Sequence, residues 1–207
     1  MSHEALIGVA AVVAAGAITP GPNNAAVMSA TMRDGVAGAV AAIIGVIAGS
    51  LALLLLAWAG VGALAARHPS VSTAIGIAGC AYLAYVGIRM LLAGVADARP
   101  AGASGAFGLP AGFAGLFTFQ LLNPKAWTLT LAAIAAAEAD GRSMAALSQL
   151  AVLFIAIPAI CLAAWSLLGA ALTKLLADRR RRSPFDRAMG ILLIASAALL
   201  LREVVHA

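Results

Sequence analysis

Two polar, proline-broken strings interrupt an otherwise oily chain: Thr19-Pro20-Gly21-Pro22-Asn23-Asn24 and Gln120-Leu121-Leu122-Asn123-Pro124-Lys125. Pro22 and Pro124 are 102 residues apart in a chain of 207, so the strings occupy corresponding places in its two halves. A proline inside a helix removes a backbone hydrogen bond and costs about 3 kcal/mol. In hydrocarbon the freed N–H and C=O groups must be met by protein or by a water-lined cavity. The pair of breaks therefore constrains the chain to an all-α polytopic membrane protein, built as a repeat, with both breaks turned inward.

The composition agrees. Hydrophobic residues make up 63 % of the chain and charged residues 10 %, with a mean hydropathy of +1.03. A soluble domain carries about 45–50 % apolar and about 25 % charged residues. The net charge of +5 does not point to nucleic acid, because the basic residues gather at span ends, where lipid headgroups would meet them. Met1-Ser2-His3-Glu4 lacks the positive start of a cleavable signal, so the first apolar stretch is expected to remain as a span. Cys80 and Cys161 stand alone inside apolar runs, without metal-ligand spacing, and read as packing residues.

Apolar runs bounded by charges predict six spans, roughly 5–32, 36–66, 70–94, 112–137, 143–176 and 185–205. Ala5–Ile18 has only 14 residues, about 21 Å of helix, and a bilayer core is about 30 Å thick. The first span is complete only if the chain resumes after the break, so it should be two half-helices. Spans two and five are long enough to tilt, and Pro158 should kink the fifth. A segment rich in Ala, Gly and Pro, residues 95–111, links a first three-span half (1–94) to a second (112–207) within one transmembrane domain. Three is odd, so the second half enters from the opposite side and the halves form an inverted repeat. Gly79 and Gly190 are a loose echo between the third spans.

Lysine and arginine set orientation. Loops one, three and five with their flanks hold nine of these residues, including the run Arg179–Arg182, and the other side holds three. The richer side should be cytoplasmic, with both termini outside.

Lys125 is the charged residue deep in a span, thirteenth of the 25 residues from Phe113 to Ala137. Either end is then about 18 Å away along the helix, too far to snorkel. Such groups in membranes are costly and mark function, although the ammonium could simply tie down carbonyls freed at Pro124. Asn23 and Asn24 begin the second half-helix, where asparagine caps well and free N–H groups attract anions such as a carboxylate. Thr19, Pro20, Gly21 and Pro22 complete that break, and Gln120, Asn123 and Pro124 stand beside Lys125. These residues form the expected substrate-binding set, since paired breaks mark the substrate site of secondary transporters. Ser50 is a modest candidate, because such a serine usually bonds back to its own helix. Gly45, Gly49, Gly76 and Gly79 permit close helix approach, within one chain first and across a homodimer second.

His3, His68 and His206 lie at span ends or termini, so no Ser–His or zinc constellation forms in the membrane. No phosphate-binding glycine loop is present, and no cofactor or enzymatic role is expected. No Asp or Glu lies deep in a span, so a second positive charge on a substrate would have no partner.

Ile18-Thr19-Pro20-Gly21-Pro22-Asn23-Asn24 with Ser29-Ala30-Thr31 and Gly35 resembles the first span of the lysine exporter and homoserine/threonine exporter (LysE/RhtB) family. Leu122-Asn123-Pro124-Lys125-Ala126 is similar to that family's fourth-span motif, Gly79-Cys80-Ala81-Tyr82-Leu83 with Gly87 to its third span, and Arg187-Ala188-Met189-Gly190 to its sixth. The resemblance covers nearly the whole chain. It implies a secondary exporter of amino acids or close derivatives, driven by proton motive force, in a bacterial inner membrane, with lipid and a small amino acid as partners. Within the family the first-span string is closest to the cysteine and O-acetylserine exporter branch. Many members carry an acid after the second glycine of span two, where this chain has Ser50, and that departure disfavours a dibasic substrate.

Two other classes of six-span protein compete with this reading. A transmembrane thiol–disulfide carrier would place reactive cysteines at both breaks, and Cys80 and Cys161 lie elsewhere. A metal-cation exporter would need Asp, Glu, His or thiolate ligands, and the breaks offer amides, carbonyls and an ammonium.

Overall fold

The computed structural model describes residues 1–60, 69–93, 112–175 and 179–206. The expected linker at 95–111, with Asp97 and Arg99, lies outside the described residues, as do Arg67 and His68. Seven helices follow in order: α1 (His3–Ile18), α2 (Pro22–Trp58), α3 (Pro69–Ala93), α4 (Gly112–Leu122), α5 (Pro124–Ala139), α6 (Met144–Leu175) and α7 (Arg179–His206).

The breaks fall where the prolines require them. α1 stops at Ile18, and α2 restarts with Pro22 as its first helical residue, where a missing N–H costs nothing. α4 stops at Leu122, and α5 restarts at Pro124. α2 has 37 residues, about 55 Å at full helical rise, too long for one bilayer crossing of about 30 Å. Gly35 divides it, with φ 66° and ψ −151°, a left-handed backbone that glycine adopts without steric cost. The first and fourth expected spans are thus each two half-helices. α6 runs through Pro158 as one element. α7, which holds the sixth expected span, begins at Arg179, earlier than expected from hydropathy, so the basic run is helical and not a connecting loop.

Large apolar side chains cover the outside: Ile7, Val36, Met144, Ile160 and Leu167 are each at least 67 % exposed. Helices apolar all round suit a lipid surrounding. Pro22–Trp58 and Met144–Thr173 are long and apolar enough to cross a membrane.

Small residues bring the helices together. α2 lies on α4 and α6, α3 on α7, and α1 on α6 and α5. A methyl group on Gly45 would stand 2.5 Å from Phe113 O, and one on Gly49 2.7 Å from Gln120 Cβ, so α4 occupies the Gly45–Gly49 face within the same chain. A methyl on Gly79 would stand 2.5 Å from Pro124 Cδ and 2.8 Å from Leu122 O, which seats α3 directly on the second break. Gly190 meets Gly87: a methyl on either would come within 2.9 Å of the other's carbonyl oxygen. Val27, Val86, Leu116 and Leu193 are buried in one core, and Val9, Leu54, Ala137 and Leu150 in another.

Among the described residues, charged groups other than Lys125 stay near the span ends. The Arg142 guanidinium lies 4.5 Å from the Trp58 ring centre, bonds the Trp58 carbonyl, and pairs with Glu138 at 3.2 Å. At the Gly35 turn, the Arg33 hydrogen bond holds the Asp34 carboxyl below the usual carboxylate range.

Candidate functional site

Each break frees backbone groups, and side chains meet several of them. Proline at position 124 cannot bond Gln120 O, which accepts from Asn123 N instead at 3.2 Å. Asn123 is the N-cap of α5: its Oδ1 accepts from Lys125 N at 3.1 Å. That leaves Leu121 O without its helical donor, and the Trp127 indole N–H supplies one at 2.7 Å. At the first break Thr19 caps α1, its N–H and hydroxyl both donating to Ala15 O. Asn24 Nδ2 donates to Ala17 O at 3.1 Å and Thr19 O at 3.0 Å.

The expected capping by Asn23 and Asn24 is therefore corrected. Gly21 is the N-cap of α2 and makes no side-chain bond. Pro22 pushes both asparagines inside the first turn, so their amides leave for other partners: Asn24 for α1, Asn23 for the other half of the chain. Asn23 Nδ2 donates to Gln120 Oε1 at 2.8 Å, and Gln120 Nε2 donates to Ser50 Oγ at 2.8 Å. Ser50 donates back to Val46 O at 2.9 Å, as anticipated, and also receives Gln120.

A cavity of about 70 Å³ lies between the breaks. Since about 10–15 Å³ admits one water, it has room for several water-sized groups. Thr19, Gly21, Pro22, Asn23, Asn24, Gln120, Asn123 and Lys125 all line it. Of the expected set only Pro20 and Pro124 do not, and Pro124 lies instead against Gly79 of α3. Val13, Val46, Leu129, Phe154 and Leu162 add apolar walls, and Pro158 also faces in.

Lys125 is half-buried, and its ammonium reaches Thr19 O at 3.5 Å, a carbonyl of the opposite break and not of its own. Among the described residues no carboxylate lies within 4 Å of it. The arrangement offers a cation with an open coordination sphere on one side and amide and hydroxyl oxygens on the other.

One polar lining residue escaped sequence reasoning. Thr130 is 1 % exposed, and its Oγ1 is buried without a hydrogen-bond partner, as is Asn23 Oδ1. An unpaired buried polar atom costs about 1–3 kcal/mol. Thr130 stands seven residues after Asn123, two helical turns, and so on the same face; that spacing was the available signal. Among the described residues, no three His, Cys, Asp or Glu side chains gather into a metal site.

The profile of the LysE type translocator family matches residues 14–204. A leucine efflux protein of Enterobacter sp. (strain 638) is 33 % identical over 109 residues, 53 % of this chain and 52 % of that protein. One from Salmonella typhimurium is 32 % identical over 109 residues, 53 % of this chain and 51 % of the relative. The chain spans about half the length of the curated relatives it matches. Their name differs from the cysteine and O-acetylserine branch suggested by the first-span string. No solved structure matches.

Proposed function

The chain belongs to the LysE type translocator family, and from that premise we propose that it is a secondary exporter of small neutral amino acids across the bacterial inner membrane. The observation that carries the proposal is the meeting of two broken helices, half a chain apart, around one cavity lined by Lys125, Asn23 and Gln120. Half-helix N–H groups and the Lys125 ammonium suit a carboxylate, oxygens suit an ammonium, and apolar walls suit a small side chain. The relatives named for leucine efflux support a neutral substrate. No carboxylate faces the cavity among its lining residues, and an unpaired second positive charge in that setting would cost several kcal/mol. Proton motive force is the energy source implied by the family resemblance.

The same proposal includes six spans in two inverted halves, 1–94 and 112–207. Helix contacts support it: the first broken span packs against the fifth at Met28–Gly169, and the second packs against the fourth at Gly49–Gln120. A half-chain shift carries spans one and five onto spans four and two, so the two span pairs exchange. Gly87 and Gly190, 103 residues apart, face each other, as equivalent residues near a pseudo-twofold axis would.

The test is export. Cells overproducing the protein, loaded with dipeptides of leucine, threonine, homoserine, lysine or arginine, should release the neutral amino acids faster than control cells. Strong lysine or arginine release without neutral efflux would refute the proposal.

A further inference from the structure

Two oxygens of residues that line the cavity are buried without a partner, Asn23 Oδ1 and Thr130 Oγ1, and the network around Asn23 explains its orientation. Ser50 commits its hydroxyl proton to Val46 O, so towards Gln120 its oxygen can only accept. Gln120 must then turn Nε2 to Ser50 and Oε1 to Asn23. Asn23 presents Nδ2 to that oxygen, which leaves Oδ1 turned away as a bare acceptor. Asn123 Nδ2, 3.4 Å from the same Gln120 oxygen, favours the same orientation.

Thr130 departs from the habit of its neighbours. Thr31, Thr128 and Thr173 each donate to the carbonyl four residues earlier, at 2.8–3.1 Å; Thr130 makes no such bond and keeps its hydroxyl unspent. Two other oxygens at the breaks are occupied. Asn123 Oδ1 caps α5, and Thr19 O already accepts from Asn24 and Lys125.

We propose that Asn23 Oδ1 and Thr130 Oγ1 form an ammonium-recognising pole opposite Lys125, with Ser50 acting through Gln120 as the positioning residue that sets the Asn23 amide. The inference rests on the transport proposal and specifies its substrate as a molecule with a free α-ammonium group. An ammonium brings three donors and no acceptor. An N-acyl analogue brings one donor and added bulk, and a des-amino acid leaves both oxygens unpaired. Sites with buried polar groups discriminate most strongly against ligands that lack the matching group.

The experiment uses the full chain in proteoliposomes, with radiolabelled L-leucine, L-threonine and L-homoserine as probes. Each probe faces competition from its unlabelled form, its N-acetyl form and its des-amino acid (4-methylpentanoate for leucine). The unlabelled amino acid should compete at least about tenfold better than either analogue. Thr130→Val should raise KM about tenfold, with Thr130→Ser restoring it. Ser50→Ala should narrow the gap between amino acid and des-amino acid, which a purely structural role would not do. Equal competition by the des-amino acid in the wild-type protein overturns the pole whether or not any variant folds. Unchanged KM and discrimination in both Thr130→Val and Ser50→Ala also overturn it, and in either case transport itself still stands. A wild-type protein that carries none of the three probes overturns the transport proposal and this one with it.

Discussion

Replacing Lys125 by methionine separates a structural role for its charge from a transport role, because the structure assigns the two very different magnitudes. The ammonium makes one hydrogen bond, to Thr19 O at 3.5 Å, and at that limiting length even a charged donor contributes less than about 1 kcal/mol. Thr19 O keeps its Asn24 donor at 3.0 Å when Lys125 is removed. Methionine has nearly the same length and removes a charge from an apolar setting, so folding should be almost unaffected or slightly improved. A substrate carboxylate would instead lose a hydrogen bond to a charged group, about 1.5–3 kcal/mol, which is roughly 10–150-fold in affinity. Lys125→Met should therefore reach the membrane at near-normal level and melt like wild type in detergent while export falls at least tenfold. Lys125→Arg should not restore export. Gly21 places the opposite break so close that a Cβ there would stand 3.7 Å from the ammonium, and a planar guanidinium needs more room. Normal export by Lys125→Met at normal protein level would refute the assignment of the carboxylate to Lys125.

Gly79→Ala would force a methyl into Pro124 and Leu122 O and should destabilise by about 1–3 kcal/mol; Gly8→Ala, with nothing within 4 Å, should be neutral or stabilising by up to about 1 kcal/mol. If both melt alike, α3 does not brace the second break. Asn123→Ala removes the α5 cap and should cost about 1–2 kcal/mol, read as a lower melting temperature; an unchanged melt would mean that another group caps Lys125 N. After replacement of Cys80 and Cys161, a cysteine at Gly141 should react with an impermeant thiol reagent from outside and one at Asp34 should not. The opposite pattern would invert the proposed topology.

Hydropathy and proline placement were legible without coordinates. At Pro20-Gly21-Pro22 and Asn123-Pro124 the missing N–H is joined by glycine and a second proline or by a capping asparagine, so both breaks and the half-helices beside them could be read from the residues alone, whereas the lone Pro158 sits inside a continuous helix. The half-chain spacing likewise brought Asn23, Gln120 and Lys125 into one expected set, since bilayer-length spans leave few ways to pair two breaks. Partners were not legible. Whether Asn23 caps its own helix or reaches Gln120 depends on where α4 lies, and that is decided by Gly45 and Gly49 accepting its backbone at close range. That Gly190 meets Gly87 was likewise hidden, because contact across the α3–α7 interface follows helix rotation, which residue type does not encode. Thr130 passed unnoticed for the same reason. By composition it is an ordinary helix threonine that should bond its own backbone, and only the surrounding tertiary packing shows it buried, unbonded and facing the cavity. Local chemistry sets where the chain must break, and packing between distant helices sets which atoms the breaks present.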